Sequence, residues 1–304
     1  MEHKSGFVNI IGRPNVGKST LLNSIIGEKL SIVSSKAQTT RHRLLAFLNT
    51  EDYQIVFSDT PGILKPNYRL HEKMMEYVAE ALDDADVLLC MTDIFENIEE
   101  IESFPEWSKA FKLIEHSALP VILIINKIDL IGEENQLAAI VEKWKEKIFA
   151  ETGRSDTIIH TLSALHDENV NGLLAELVDH LPAGPAFYPK DQITDRPERF
   201  FVSEKIREKV FLNFKKEIPY STEAAVISFK EEEDIIRIQA DIIVERKTQK
   251  GIIIGKAGAG VKKIGSEARI DLENFFNKKI FLELYVKVRD DWRNKNSQLT
   301  NFGY

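Results

Sequence analysis

The chain has 304 residues, 43% hydrophobic and 29% charged, with a formal net charge of −8. That composition suits about two globular domains and excludes a disordered, collagen-like or disulfide-rich chain. The single cysteine excludes an internal disulfide, no apolar run approaches the ~20 residues a membrane-spanning helix needs, and the N-terminus carries no signal or transit pattern, so a cytoplasmic protein is expected.

In chain order, residues 1–181 alternate apolar runs with amphipathic stretches. "FVNIIG", "LLAFL", "YQIVFSD", "DVLLCMTD", "VILIIN" and "TIIHTLSA" predict strands. "TLLNSIIG", "HEKMMEYVAEALDD", "AAIVEKWKEKIFAE" and "NVNGLLAELVDHL" predict helices between most of them. Such alternation predicts an α/β domain with a mostly parallel sheet and helices on both faces. Cys90, inside the run "DVLLCM", is expected as a small buried core residue. Residues 182–198 are rich in proline and weakly periodic, which predicts an interdomain linker.

Residues 199–304 read differently. The helix pattern "RFFVSEKIREKVFLNF" leads to the strand "EAAVISFK", the acidic turn "EEED" and the strand "IIRIQADIIVE". Ile236, Ile238 and Ala240 alternate as in a half-buried strand. A glycine loop with its helices follows, then the strand "KIFLELYVKV". Charge also shifts here. From Asp191 to Tyr304 there are 22 Lys and Arg against 19 Asp and Glu, while the first 190 residues hold 18 against 29. Arg246, Lys247, Lys250, Lys256, Lys262 and Lys263 surround the glycine loop with no acid among them. A basic run of this kind is either a solvated face or the footprint of an anionic partner.

"GRPNVGKS" matches the phosphate-loop pattern GxxxxGK[ST] in full, after a strand and before a helix. Gly12, Arg13, Pro14, Asn15, Val16, Gly17, Lys18, Ser19 and Thr20 are therefore the expected cradle of a nucleotide's phosphates. Backbone N–H groups and the helix N-terminus face the phosphates, Lys18 reaches the outer ones, and Ser19 binds Mg²⁺. "DTPG" (Asp59, Thr60, Pro61, Gly62) ends another strand, where Asp59 serves Mg²⁺ and the Gly62 N–H a terminal phosphate. "NKID", with Asn126, Lys127 and Asp129, ends a third. The Asp129 carboxylate accepts from guanine N1–H and the 2-amino group, donors that adenine lacks at those positions. "SAL" (Ser163, Ala164, Leu165) follows the last strand, and the Ala164 N–H is placed to meet guanine O6.

The second glycine loop, "IIIGKAGAGVKKIG", is not a phosphate loop of the first kind, since no Ser or Thr follows Lys256. It matches GxxG, the loop with which KH domains clamp about four backbone nucleotides of RNA. Ile254, Gly255, Lys256, Ala257 and Gly258, flanked by Lys250, Lys262 and Lys263, are the expected RNA contacts. The alternative is a helix cap without a ligand. The surrounding order of helix, strand, strand, helix, loop, helix and strand is that of a type II KH fold.

The first set of motifs resembles the Ras-like GTPase superfamily. The resemblance makes "KAQTTRHR" the first switch segment, with Thr40 as second Mg²⁺ ligand and Thr39 as the fallback. Ile63 stands where many such proteins carry a Gln that orients the attacking water, which implies slow intrinsic hydrolysis. Relatives with Asn at the place of Asn15 use bound K⁺; otherwise Asn15 is a turn residue. Lys18, Asn15, Thr40 and Gly62 are then the catalytic set. With the KH pattern, the linker phrase "YPKDQITDRPERF" and the tail "VKVRDDWRNKNSQL", the whole chain resembles the Era family of bacterial GTPases. The resemblance implies a GTP- and GDP-binding monomer with Mg²⁺ that grips single-stranded rRNA, not DNA, near the 3′ end of the small-subunit rRNA. It implies a part in small ribosomal subunit assembly, and some members associate loosely with the inner membrane. An RNA-binding scaffold with a structural nucleotide is the rival reading.

Overall fold

The computed structural model describes every residue except Met1, Ser35, Ala37, Phe104 and Glu133, and the backbone alone at 102, 103, 105, 106, 134 and 135. The chain forms two compact units. The first comprises Met1–Ser31, Thr40–Asn67 and His71–Asp195; the second comprises Ile32–Thr39, Tyr68–Leu70 and Arg196–Tyr304. The loop "KAQTTRHR" is thus shared out, with Thr40 in the first unit and Lys36 and Thr39 in the second; its Ala37 lies outside the described residues.

The first unit is built on strands β1 (Lys4–Gly12), β2 (Leu44–Asn49), β3 (Tyr53–Asp59), β4 (Val87–Asp93), β5 (Val121–Asn126) and β6 (Ile158–Thr161). They lie in the order β2-β3-β1-β4-β5-β6, all neighbours parallel except β2 against β3. Helices α1 (Lys18–Ile26), α2 (Arg69–Asp83), α3 (Pro105–His116), α4 (Glu134–Thr152) and α5 (Val170–His180) connect or follow them. The β4 and β5 runs are continuous rather than alternating because helices cover both sheet faces, and every residue of β5 is buried. Cys90 is a core residue, and burial pushes its thiol up to about 12. No sequence reading placed α3, although Trp107, Ala110, Phe111 and Ile114 recur at helical spacing and are all buried. Trp107 packs on Trp144 of α4 with ring centroids 4.7 Å apart.

The proline-rich stretch runs along the antiparallel edge of this sheet. The Phe47 N–H donates to Ile193 O at 2.9 Å, Gln54 Oε1 accepts from the N–H groups of Phe187 and Tyr188, and Tyr188 stacks on Phe47 at 4.1 Å. It covers groups that edge strand β2 would otherwise expose.

The second unit contains α6 (Glu198–Asn213), β7 (Glu223–Glu231), β8 (Ile235–Val244), α7 (Lys247–Ile254), α8 (Ala259–Phe276), β9 (Lys279–Val288) and the short α9 (Asn296–Asn301). The sheet order is β7-β8-β9, with β7 antiparallel and β9 parallel to β8. Val202, Ile206 and Val210 of α6 and Ile264, Ala268 and Leu272 of α8 bury against Ile236, Ile238, Ala240 and Ile242 of β8. The tail is held by buried Trp292, whose Nε1–H donates to Ser221 O at 3.0 Å. Also within this unit, the Lys36 ammonium caps α6 by donating to the carbonyls of Phe211 and Phe214, and the buried Arg207, paired with Glu204, donates to Thr39 O. Among the described residues no helix is long and apolar enough to cross a membrane.

Candidate functional site

The first site lies at the carboxyl ends of β1, β3, β5 and β6. The phosphate loop joins β1 to α1, and its turn needs a left-handed backbone at Asn15 (φ 68) and Gly17 (φ 109). A Cβ on Gly17 would lie 2.2 Å from Asn126 Nδ2, so only glycine admits the neighbouring motif at that point. Lys18 is buried and folded onto its own loop, donating to Gly12 O at 3.0 Å and Arg13 O at 2.9 Å. Burial lowers its ammonium to about 8, against the attraction of Asp59. A phosphate at the N-terminus of α1 would offer Lys18 a charged acceptor in place of these two carbonyls. The Arg13 guanidinium is paired with Glu96.

Asp59 ends β3 fully buried. Its Oδ2 accepts from Ser19 Oγ at 3.0 Å and Ser31 Oγ at 2.9 Å, with Thr40 Oγ1 at 3.4 Å; Ser19 and Thr40 also share a hydrogen bond of 3.0 Å. Burial raises the Asp59 carboxyl, opposed by Lys18 and the three hydroxyls. Its Oδ1 is buried without a partner. Two hydroxyls and a carboxylate with one orphaned oxygen are hard oxygen donors of the kind Mg²⁺ takes, so the residues fit that ion. The structure brings Thr40, not Thr39, to this cluster. Thr60 Oγ1 donates to Ile10 O and the Ile63 N–H to Gly12 O at 3.4 Å, which lays "DTPG" beside the phosphate loop.

Ile63 is in the core. Its side chain is 3% exposed and packs with Ile11, Val78, Cys90 and Ile125, so only its backbone reaches the site. Ile63→Gln therefore buries an amide among apolar side chains. It is expected to lower stability by about 1–3 kcal/mol, read as a fall in the urea midpoint at unchanged slope.

On the base side, Asn126 braces two loops, donating from Nδ2 to Val16 O at 2.8 Å and accepting the Ala164 N–H on Oδ1 at 2.9 Å. That N–H, expected to face a base oxygen, is thus engaged by the neighbouring carboxamide, because Ala164 turns inward and is buried. The Ser163 hydroxyl donates to Asp129 Oδ1, leaving Oδ2 to the open side, where His166 Nε2 stands 3.7 Å away. Lys127 pairs with Asp93 and its ammonium lies 5.8 Å from the centre of the Phe95 ring. Phe95, under the Lys127 ammonium, and Leu165, next to Ala164 along the chain, are exposed apolar surface of the kind that takes the faces of a planar base. Sequence reading missed Phe95, which belongs to no motif.

The second site is the turn between α7 and α8. Gly255 (φ 71), Ala257 (φ 50) and Gly258 (φ 80) all have positive φ. A Cβ on Gly255 would lie 2.9 Å from Gly260 N, so the glycine is needed for the chain to double back. Lys256 and Ala257 are exposed at the tip; Lys262 and Lys263 are exposed on the first turns of α8, and Lys250 and Ile254 are half-buried on α7. Beside the loop a groove of about 280 Å³ runs between α8 and β9, lined by Val261, Lys262, Gly265, Ser266, Arg269, Leu282 and Leu284. The last two sit on a strand remote in sequence and were missed. The helical spacing of Lys262, Ser266 and Arg269 was a signal for the α8 side.

Comparison with known proteins agrees with both halves. A family model described as a 50S ribosome-binding GTPase matches residues 7–127, and a KH domain model matches residues 217–293. The GTPase Era of Alkaliphilus metalliredigens is 44% identical, with all of both chains covered, and that of Syntrophus aciditrophicus is 45% identical over 99% of this chain and 95% of its own. A crystal structure of a variant of Aquifex aeolicus Era bound to GDP and AlF4⁻ superposes with a TM-score of 0.92 at 38% identity, covering 99% of each chain. Era in complex with MgGDPNP and nucleotides 1506–1542 of 16S ribosomal RNA superposes at 0.91, again at 38% identity and 99% of each chain.

Proposed function

The chain belongs to the Era family of GTPases, and on that premise we propose that it is a GTP-hydrolysing switch that binds single-stranded rRNA near the 3′ end of the small-subunit rRNA and assists assembly of that subunit. The observation that carries the nucleotide half is the convergence of Ser19 and Thr40 on buried Asp59 beside Lys18. Lys18, the loop N–H groups and the N-terminus of α1 hold the β- and γ-phosphates. Ser19, Thr40 and Asp59 would hold Mg²⁺, which when bound would supply positive charge against the charge developing on the γ-phosphate. Asp129 reads guanine, Lys127 and Leu165 flank the ring, and Asn126 keeps the two loops in register.

No side chain stands at the position of Ile63 to orient water, because that side chain is in the core. K⁺, held with the help of Asn15, would supply positive charge at the phosphates in place of that water-orienting side chain. Asn15→Gly keeps the left-handed backbone and removes the carboxamide. Wild-type turnover should fall several-fold when Na⁺ replaces K⁺, and the variant should be slow in both salts. Equal wild-type rates in the two salts would end the potassium reading and leave the GTPase intact. Lys18→Ala should abolish tight GTP binding, which titration with a fluorescent nucleotide checks.

On the RNA side, the left-handed loop at Gly255–Gly258 clamps the sugar–phosphate backbone, and Ser266, Arg269, Leu282 and Leu284 line the space for the bases. This reading draws on the rRNA complex of the relative at 38% identity. The protein works as a cytoplasmic monomer, and any contact with the inner membrane is peripheral. The core position of Ile63 favours one rival, an RNA-binding scaffold whose nucleotide turns over too slowly to matter. Turnover measured with K⁺ and RNA together separates them: a marked acceleration supports the switch, and none supports the scaffold.

A further inference from the structure

Ser31 matches none of the nucleotide-binding motifs, yet its hydroxyl makes the shortest hydrogen bond that Asp59 Oδ2 accepts, 2.9 Å. Ser31 is buried and held from both sides by one side chain. Asn23 Oδ1 accepts the N–H groups of Leu30 and Ser31, each at 2.9 Å, and Asn23 Nδ2 donates to Ser31 O at 2.9 Å. Asn23 belongs to α1, the helix that begins with Lys18 and Ser19. A hydrogen-bonded path thus runs from α1 through Asn23 and the Ser31 backbone to the Asp59 carboxylate.

We infer that Ser31, clamped by Asn23, is a positioning residue for Asp59: it fixes Oδ2 so that the unpartnered Oδ1 is held ready for the Mg²⁺ site. A carboxylate left to Ser19 and Thr40 alone would depend on two hydroxyls whose oxygens the ion itself claims. Ser31 has no such second duty. Its donor stays on Oδ2 whether or not the site is loaded, and so keeps the carboxylate rotamer in place. Asn23 spares Ser31 from relying on the loop between α1 and β2 for its own position. The inference rests on the Mg²⁺ reading of the previous subsection.

The test uses the full chain and fluorescent GDP. Release is timed across a range of free Mg²⁺, and GDP affinity is measured separately in EDTA. Ser31→Ala should raise the Mg²⁺ concentration for half-maximal slowing of release by about 10-fold, the usual effect of removing a partner that orients a metal ligand. GDP affinity in EDTA should stay within about two-fold of wild type. Ser31→Thr, which keeps the hydroxyl, should restore most of the Mg²⁺ response. Ser31→Cys, near-isosteric with a weak donor, makes the same comparison if the alanine variant does not fold. An unchanged Mg²⁺ response in Ser31→Ala overturns the inference, as does an equal loss of GDP affinity with and without Mg²⁺, which would make Ser31 a packing residue. A wild type indifferent to Mg²⁺ overturns the metal reading itself, and this inference with it.

Discussion

Asp129→Asn should lower GTP and GDP affinity by about 10²- to 10⁴-fold, the loss of two charge-assisted hydrogen bonds at about 1.5–3 kcal/mol each. The wild-type carboxylate is half engaged already. Ser163 donates to Oδ1, and this fixes the plane of the group, leaving Oδ2 for the base. In the variant, the carboxamide oxygen keeps the serine and its NH₂ turns toward the ligand. Donor then meets donor at guanine N1–H and the 2-amino group. Xanthosine triphosphate carries a carbonyl in place of that amino group and should recover much of the lost affinity on the variant while binding the wild type poorly. ATP should bind weakly to both. Calorimetric titration of the three triphosphates against the two proteins settles the matter. Equal affinity of the wild type for ATP and GTP would remove the base-reading role from Asp129.

Joint replacement of Lys256 and Ala257 by Asp should lower RNA affinity by at least ~10²-fold and leave GTP affinity unchanged. Lys256 and Ala257 are exposed at the tip of the loop, where a phosphate backbone passing close to the glycines must meet them. The double variant puts two negative charges against that backbone. It is a fair test of the loop because Ala257 has φ 50, a conformation Asp tolerates better than most residues. Lys250, Lys262 and Lys263 should act singly and more weakly, each reducing the salt slope by about 0.7 if it neutralises one phosphate. Titration should be run with GDP and with a non-hydrolysable GTP analogue. If GTP raises RNA affinity by some factor, RNA must raise GTP affinity by the same factor. Undiminished RNA binding by the variant would reduce the loop to a helix cap. Equal affinities in the two nucleotide states would leave an RNA-binding GTPase without a switch.

Much of this was legible because both sites are made largely by short contiguous runs. A phosphate loop works through consecutive backbone N–H groups and the helix start that follows them, so "GRPNVGKS" states its own geometry. The strands reveal themselves where helices cover both faces and every residue turns apolar, as in "VILIIN". The GxxG loop likewise needs its glycines at fixed places, because the turn takes positive φ at Gly255 and Gly258. Helix α3 was legible too, in the spacing of Trp107, Phe111 and Ile114, and went unread.

By itself, then, the sequence determined the fold class, the order of the motifs and the residues proposed to read guanine and hold phosphates, since each depends on neighbours along the chain. The tertiary structure alone decided which way individual groups face. It turned Ile63 into the core, gave the Ala164 N–H to Asn126, chose Thr40 over Thr39 for the Asp59 cluster, and brought Ser31 to that carboxylate across 28 residues. It also set Leu282 and Leu284 beside Lys262 and Ser266, through the parallel register of β9 on β8 and the packing of α8 against that strand. Such pairings depend on how strands and helices align at long separation. Hydrophobic periodicity tells which face of an element is buried, but not which polar group waits opposite it.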